Sequence, residues 1–263
     1  MVSQDWCKDS IKVEGGSVTI INGGNFNIAR VERQDFAPDM YEDFKLLGSQ
    51  LEYTVDMSNV PCSCNAALYF LKMPGYDASQ NPAPSAGGNY YCDAMKVGGY
   101  YCPDMDVAEA NKYATAITAH KCDTPEGKFY KECDVVGCGK NSYENNPKAM
   151  CPSDDCTINT NSPYRHIIKF LEGTDGVLAK IENTFEQNGK SYTFTSCKDA
   201  KYLDLFSEDT RNLVMTVSLW GNDHKTMEWL DGMTGCKGDC PNEKSVTFSD
   251  FKFITLNEKV EIE

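Results

Sequence analysis

The sequence predicts an all-β sandwich of two antiparallel sheets with a cysteine-pinned loop region, and three observations carry that expectation. Short segments alternate apolar and polar residues at the period of two that puts every second side chain on one face of a strand. Gly, Asn, Ser and Thr recur between them, where turns are needed. No long run is amphipathic at a helical period. With 263 residues, 41% of them hydrophobic and 24% charged, the balance is globular, and one domain spanning 1–263 is an ordinary size for a sandwich.

Taken in order, residues 10–13 and 17–21 read as two short strands joined by Gly15-Gly16, with Gly23-Gly24 as the next turn. Residues 50–57 alternate clearly, and 66–71 read as a buried strand. Both are expected near the centre of a sheet. Residues 73–89, rich in Pro, Gly, Ala and Ser, form a surface loop, and 122–163 form a loop-rich excursion held by cysteines. Strands resume at 166–171, 179–185 and 191–194, the last two joined by a turn at Asn188-Gly189. Residues 212–220 and 244–254 complete the set. One helix is expected, at 197–206. No internal repeat is found.

The formal net charge is −14 and the isoelectric point about 4.7, so nucleic acid and anionic membranes are excluded as partners by repulsion. No apolar stretch approaches the ~18 residues of a membrane span. The protein is expected to be a soluble monomer. Thirteen cysteines point to an oxidising, extracellular setting. The spacings Cys62-x-Cys64, Cys133-x4-Cys138, Cys151-x4-Cys156 and Cys236-x3-Cys240 fit local disulfides better than zinc sites, and no metal or other cofactor is expected. The N-terminus has no apolar signal region, so the chain reads as a mature or recombinant form of a secreted protein. An odd count leaves at least one thiol free or paired outside the chain.

The chemistry concentrates in Asp104-Met105-Asp106-Val107-Ala108-Glu109-Ala110-Asn111. On a strand, Asp104 and Asp106 share a face and Glu109 falls on the other, unless a β-bulge at Val107 or Ala108 restores the parity. Three acids would then line one patch. Glycoside hydrolysis uses such a set: a nucleophile or base, a protonated acid, and a neighbour that separates their pKa values. On its own, such a cluster is more often a polar loop or a solvated strand face than an active site.

These residues, with others in the same order, resemble glycoside hydrolase family 7, the cellobiohydrolases and endo-β-1,4-glucanases. That family carries Glu-x-Asp-x-x-Glu-Ala-Asn followed by Thr-Pro-His-Pro-Cys; here the second run is Thr118-Ala119-His120-Lys121-Cys122. Further matches include Pro61-Cys62-x-x-Asn65-Ala66-Ala67-Leu68-Tyr69-Phe70, Tyr91-Cys92-Asp93, Ser162-Pro163-Tyr164-Arg165, and Val217-Ser218-Leu219-Trp220 with Met227-x-Trp229-Leu230-Asp231. The resemblance spans residues 30–253.

It implies a concanavalin-like β-jelly roll with a glucan cleft across the concave sheet. By position, Asp104 would be the nucleophile, Asp106 its helper and Glu109 the acid/base. His120 would lie near the acid/base, and Asn65, Tyr69, Tyr91 and Asp93 along the floor. Trp220 and Trp229 would stack on sugar rings, and Arg30 and Arg165 would hydrogen-bond sugar hydroxyls. Without the family context, the tryptophans would read as core, His120 as a loop histidine, and Asn65 and Tyr69 as structural. The implied disulfides are Cys92–Cys102, Cys122–Cys151, Cys133–Cys138 and Cys156–Cys197, with Cys62 and Cys64 sharing Cys236 and Cys240, which leaves Cys7 odd.

The sequence departs from the family at Asp104, where the family has Glu. One methylene withdraws the carboxylate by about 1.5 Å, against a retaining pair only ~5–5.5 Å apart. Most of the family's N-terminal region is missing and the loop at 93–101 is short, so an open cleft and endo action are expected. The arginine expected on the product side is Asn146. The expectation is a secreted, metal-independent endo-β-1,4-glucanase acting on a polysaccharide or oligosaccharide. The alternatives are a catalytically silent glycan-binding protein of the same fold and a polysaccharide lyase using a tyrosine or His120. The acidic surface argues against the uronic-acid substrates of a lyase.

Overall fold

The computed structural model describes residues 2–3, 10–30, 37–85, 89–257 and 259–260. In chain order the strands are β1 (Val2–Ser3), β2 (Ile11–Glu14), β3 (Ser17–Ile21), β4 (Gly24–Asn27), β5 (Ser49–Asp56), β6 (Cys64–Leu71), β7 (Asp104–Ala110), β8 (Thr115–His120), β9 (Cys138–Asn141), β10 (Met150–Cys151), β11 (Ile158–Asn159), β12 (Tyr164–Gly173), β13 (Leu178–Gln187), β14 (Lys190–Thr195), β15 (Val214–Gly221), β16 (Ser245–Thr255) and β17 (Lys259–Val260). Three short helices intervene: α1 (Ser142–Asn145), α2 (Ala200–Phe206) and α3 (Glu228–Asp231).

Two sheets form. The front sheet has the order β1-β4-β15-β6-β7-β8-β9, every neighbour antiparallel. The back sheet runs β14-β13-β12-β5-β16-β3-β2, with β17 parallel to β12 at its side. Alternate residues of both sheets meet between them: Leu51, Tyr53, Phe170, Phe185 and Phe248 from the back, and Phe26, Leu68, Phe70, Met105 and Val217 from the front. This is the two-layer arrangement that period-two patterning requires. The β13–β14 hairpin turns at Asn188 and Gly189, both at positive φ (51° and 77°), which a two-residue turn of right-handed twist demands. In α2, Asp199 caps the Tyr202 amide, and Tyr202, Leu203 and Phe206 are buried, as the helix expected at 197–206 requires.

The two strands expected near the centre of a sheet, β5 and β6, are each the middle strand, β5 of the back sheet and β6 of the front. Other expectations need correction. The Gly23-Gly24 turn leads directly into β4, which pairs with β15, and β9 from the loop-rich excursion forms an edge of the front sheet.

The disulfides among the described residues are Cys62–Cys236, Cys64–Cys240, Cys92–Cys102, Cys122–Cys133, Cys138–Cys197 and Cys151–Cys156. Three implied pairs are therefore wrong: Cys122–Cys151, Cys133–Cys138 and Cys156–Cys197. Cys122 and Cys133 face each other across an antiparallel bridge. Cys138 sits opposite the core residue Ala119, so its sulfur points inward toward Cys197 rather than back along its own loop. Of the four close spacings, only Cys151-x4-Cys156 closes on itself. Cys7 lies outside the described residues. No helix among those described is long and apolar enough to cross a membrane.

Candidate active site

The pairing of β7 explains how three unevenly spaced acids share a face. Leu68 of β6 lies opposite Ala108 and Tyr69 opposite Asp106, so Val107 has no partner of its own. This is the β-bulge that the spacing required. Pairing with β8 shifts over the same stretch, from Asp106–Thr118 to Glu109–Ala116. Met105, Val107 and Ala110 enter the core, while Asp104, Asp106 and Glu109 line a cleft of about 1120 Å³ on the outer face of the front sheet.

Each acid meets different surroundings. Glu109 Oε1 accepts from Asn65 Nδ2 at 2.9 Å and from the Tyr69 hydroxyl at 3.0 Å, which leaves Oε2 to carry its proton. Burial, and then the charge of Asp106, raise the Glu109 pKa to about 8. At neutral pH it is an acid with a proton to give. Asp106 Oδ2 lies 3.1 Å from His120 Nε2, and His120 Nδ1 donates to the Asp134 carbonyl at 2.8 Å. Burial alone would lower the His120 pKa, but the hydrogen bond and charge of Asp106 outweigh it and raise it to about 10. The pair is therefore a buried imidazolium–carboxylate.

Asp104 Oδ2 accepts from the Ala94 amide at 3.2 Å, and its buried Oδ1 has no hydrogen-bond partner among the described residues. Burial, reinforced by Asp106, pushes its pKa well above the carboxylate range, with His120 opposing. Asp93 accepts from the Val97 amide at 2.8 Å and from the Tyr91 hydroxyl, and burial raises it to about 6.

Strand register fixes the two walls of the cleft. Trp220 pairs with Asn65 and so stands at the Glu109 end, where its Nε1 donates to the Tyr69 hydroxyl at 3.0 Å. Trp229, on α3, lines the same cleft, and Asn141 at the end of β9 donates to the Leu230 carbonyl at 2.8 Å, fastening α3 there. At the Asp104 end, the wall comes from residues 93–101, closed by Cys92–Cys102, and from 134–137, which follow the Cys122–Cys133 bridge.

A family model for glycosyl hydrolase family 7 matches residues 28–98 and 95–208, more than half of the sequence. The chain belongs to glycosyl hydrolase family 7. Endoglucanase 1 of Humicola insolens is 28% identical, over 95% of this chain and 76% of that protein. An endo-beta-1,4-glucanase of Emericella nidulans is 27% identical, over 90% and 70%. In fold, the chain is similar to an endoglucanase I complexed with cellobiose, with a TM-score of 0.75 at 19% identity, covering 95% of this chain and 79% of the other. A family 7 cellobiohydrolase from Daphnia pulex gives 0.74 at 21%, over 97% and 82%. The fold is the family's β-jelly roll.

In this family 7 chain, Asp104, Asp106, Glu109, His120, Tyr69, Tyr91, Asp93, Trp220 and Trp229 all line the cleft, with Asn65 hydrogen-bonded to Glu109. Two expected sugar-binding residues lie elsewhere. Arg165 is on the outer face of the back sheet, across the sandwich, where it binds Glu52 at 2.5 Å and Glu186 at 2.9 Å. Its neighbours in β12, Tyr164 and His166, point inward, and strand alternation sends Arg165 out. Arg30 is held by the Tyr41 carbonyl at 2.7 Å and by Asp43, away from the cleft lining.

Sequence reasoning missed Asp134 and Gly137. Gly137 has φ +69°, and a Cβ there would stand 2.6 Å from the Thr118 methyl and 2.7 Å from His120 Cε1. Only glycine lets this loop close over the imidazole. Neither residue carries a motif, because the contact depends on a carbonyl and on a missing side chain. The one cluster among the described residues with metal-ligand chemistry is Cys62, Asp231 and Cys236. Its two sulfurs are joined to each other, and Asp231 Oδ2 accepts from the Ser63 amide and Asn111, so it reads as a structural staple.

Proposed function

We propose that the protein is a secreted endo-acting β-1,4-glucanase using Glu109 as acid/base and Asp104 as nucleophile, with Asp106 as helper. The observation that carries the reading is the opposed treatment of neighbouring acids on one strand face. Glu109 is half-buried with its pKa raised to about 8, so it holds a proton at neutral pH, while Asp106 is spent in an ion pair with His120. The protonated Glu109 would donate to the glycosidic oxygen, and Asp104, once ionised, would attack the anomeric carbon and form a glycosyl-enzyme that water then resolves. His120, held by the Asp134 carbonyl, keeps a positive charge beside Asp104, which favours the ionised form that attack requires. Trp220 and Trp229 offer ring faces to the sugar. Relatives at 27–28% identity include endoglucanases, and one structure of similar fold is an endoglucanase complexed with cellobiose. The six disulfides favour an extracellular site of action.

One observation favours a second reading, a glycan-binding protein without turnover. Asp104 has the shorter side chain, and burial pushes its pKa well above the carboxylate range, against the ionised form. Reducing-sugar release from soluble β-1,4-glucan and mixed-linkage glucan separates the two, comparing the parent with Asp104→Glu. The glucanase reading expects release by the parent and a several-fold gain with the longer carboxylate. Binding of cello-oligosaccharide by calorimetry without any release would select the binding protein. Neither release nor binding would remove the glucan assignment.

A further inference from the structure

The two walls of the cleft differ in kind. At the Glu109 end stand two tryptophans. At the Asp104 end, Met95, Val97, Val135 and Val136 line the same cleft, and they are 50%, 60%, 50% and 80% exposed. Four aliphatic side chains left in water beside four acids and an imidazolium are an unusual use of surface.

Their placement is fixed from below. The Met95–Val97 loop is closed by Cys92–Cys102 and hydrogen-bonded through the Ala94 amide to Asp104 and through the Val97 amide to Asp93. The Val135–Val136 loop hangs from the Asp134 carbonyl on His120, and the Asp134 carboxylate accepts from the Val136 and Gly137 amides at 3.1 and 3.2 Å. The first loop is thus anchored to Asp104 and Asp93 and the second to His120, so both hold their apolar side chains beside the acids.

A β-linked sugar chain presents apolar ring faces and hydroxyl-bearing edges. With the aromatic rings of Trp220 and Trp229 at one wall, the opposite wall is apolar at these four positions, and the neighbouring Ser85 and Asn89 are hydrogen-bonded to each other. A bare hydroxyl edge packed against these four side chains would lose water and gain no partner from them, which is costly. An ester or ether group on that edge removes the donor and adds carbon surface to cover the aliphatic wall. We infer that this wall is a subsite for an apolar O-substituent, and that the preferred substrate is an O-acylated β-glycan rather than a bare glucan. The inference rests on the glycanase reading above and specifies its substrate.

Calorimetry on Glu109→Gln, with an O-acetylated β-1,4-linked oligosaccharide and the same oligosaccharide after deacetylation, tests it. The acetylated form is expected to bind about tenfold more tightly, the discrimination an apolar pocket gives for a small group. Adding Met95→Ser and Val136→Ser should bring the ratio close to one. Both positions are exposed, so serine opens no cavity, and a melting curve checks the fold. A purely structural role would weaken both ligands together and leave the ratio unchanged. A ratio near one before the serines, or a preference that survives them, overturns the inference, as does a loss confined to adsorption on insoluble glucan. If the parent cleaves the deacetylated chain and shows no preference, the inference fails alone. If neither oligosaccharide is bound or cleaved, the glycanase reading falls with it.

Discussion

His120 and His166 are both buried, one in each sheet, and they are held in opposite charge states. His166 lies in the back sheet, 2.7 Å from the Tyr53 hydroxyl and 3.2 Å from Asn183, and its ring is stacked on Phe185 at 4.2 Å. Burial without a counter-charge lowers its pKa to about 3. His120, beside Asp106, is raised to about 10. The same side chain is thus neutral packing material on one side of the sandwich and a fixed cation on the other. Burial does not mark a functional residue; burial with a charged partner that opens to a cleft does.

The largest test of that contrast is Glu109→Gln. If the half-buried acid supplies the proton, turnover falls about 10²–10⁴-fold while the fold is retained. Stability should move the other way. A carboxyl raised to about 8 in the folded state from its ordinary 4.5 contributes stability below 4.5 and loses it as pH rises through 8. The variant should therefore melt higher than the parent at pH 7 and gain nothing at pH 4, and an equal shift at both would contradict the charge assignment.

Asp106→Ala comes next. Removing one partner of a buried pair costs about 3–5 kcal/mol, and the His120 resonance should titrate far below 10 when followed by NMR. An unchanged titration would mean that Asp106 does not hold the imidazolium. On the other sheet, His166→Phe should cost about 1–3 kcal/mol at neutral pH, because Tyr53 and Asn183 lose their partner. It should also flatten the acid limb. With a folded pKa of about 3 against 6.5 unfolded, His166 binds its proton on unfolding, and stability is lost as pH falls from 6.5 toward 3. Denaturant midpoints between pH 3 and 7 measure both effects. The smallest change is expected from Arg165→Met, about 1 kcal/mol, because Arg165 is half-exposed and Lys252 still faces the buried Glu52 at 3.7 Å, with oligosaccharide affinity untouched. A loss of affinity would return that residue to the sugar site.

The two sheets also differ in how much of them the sequence discloses. β5, β12, β13 and the first half of β16 alternate over most of their length, because one face packs and the other meets water. β6 and β7 are buried on nearly every residue, since the cleft floor is shielded too, and alternation fades there. β8 and β9 use Ala, Thr and Gly, which carry little strand signal. The acids and tryptophans were legible through their residue types and order. The arginines were misplaced because motif order says nothing about which sheet a strand joins, and the aliphatic wall was missed because Met and Val in a loop have no periodicity to betray them.

The bulge at Val107 sets how this site can change. Substitutions within β7 alter one side chain each, so an acid can be shortened, as at Asp104, without disturbing its neighbours. A change in length is different. Deleting a single residue between Asp106 and Glu109 would remove the bulge and leave simple alternation, with Glu109 still facing the cleft opposite Ala67 but without the local bend and twist that the extra residue adds. The extra residue therefore sets the bend of the strand rather than the face of the acid, and a redesign that shortened β7 by one residue would change how Glu109 is aimed and not which side of the sheet it serves.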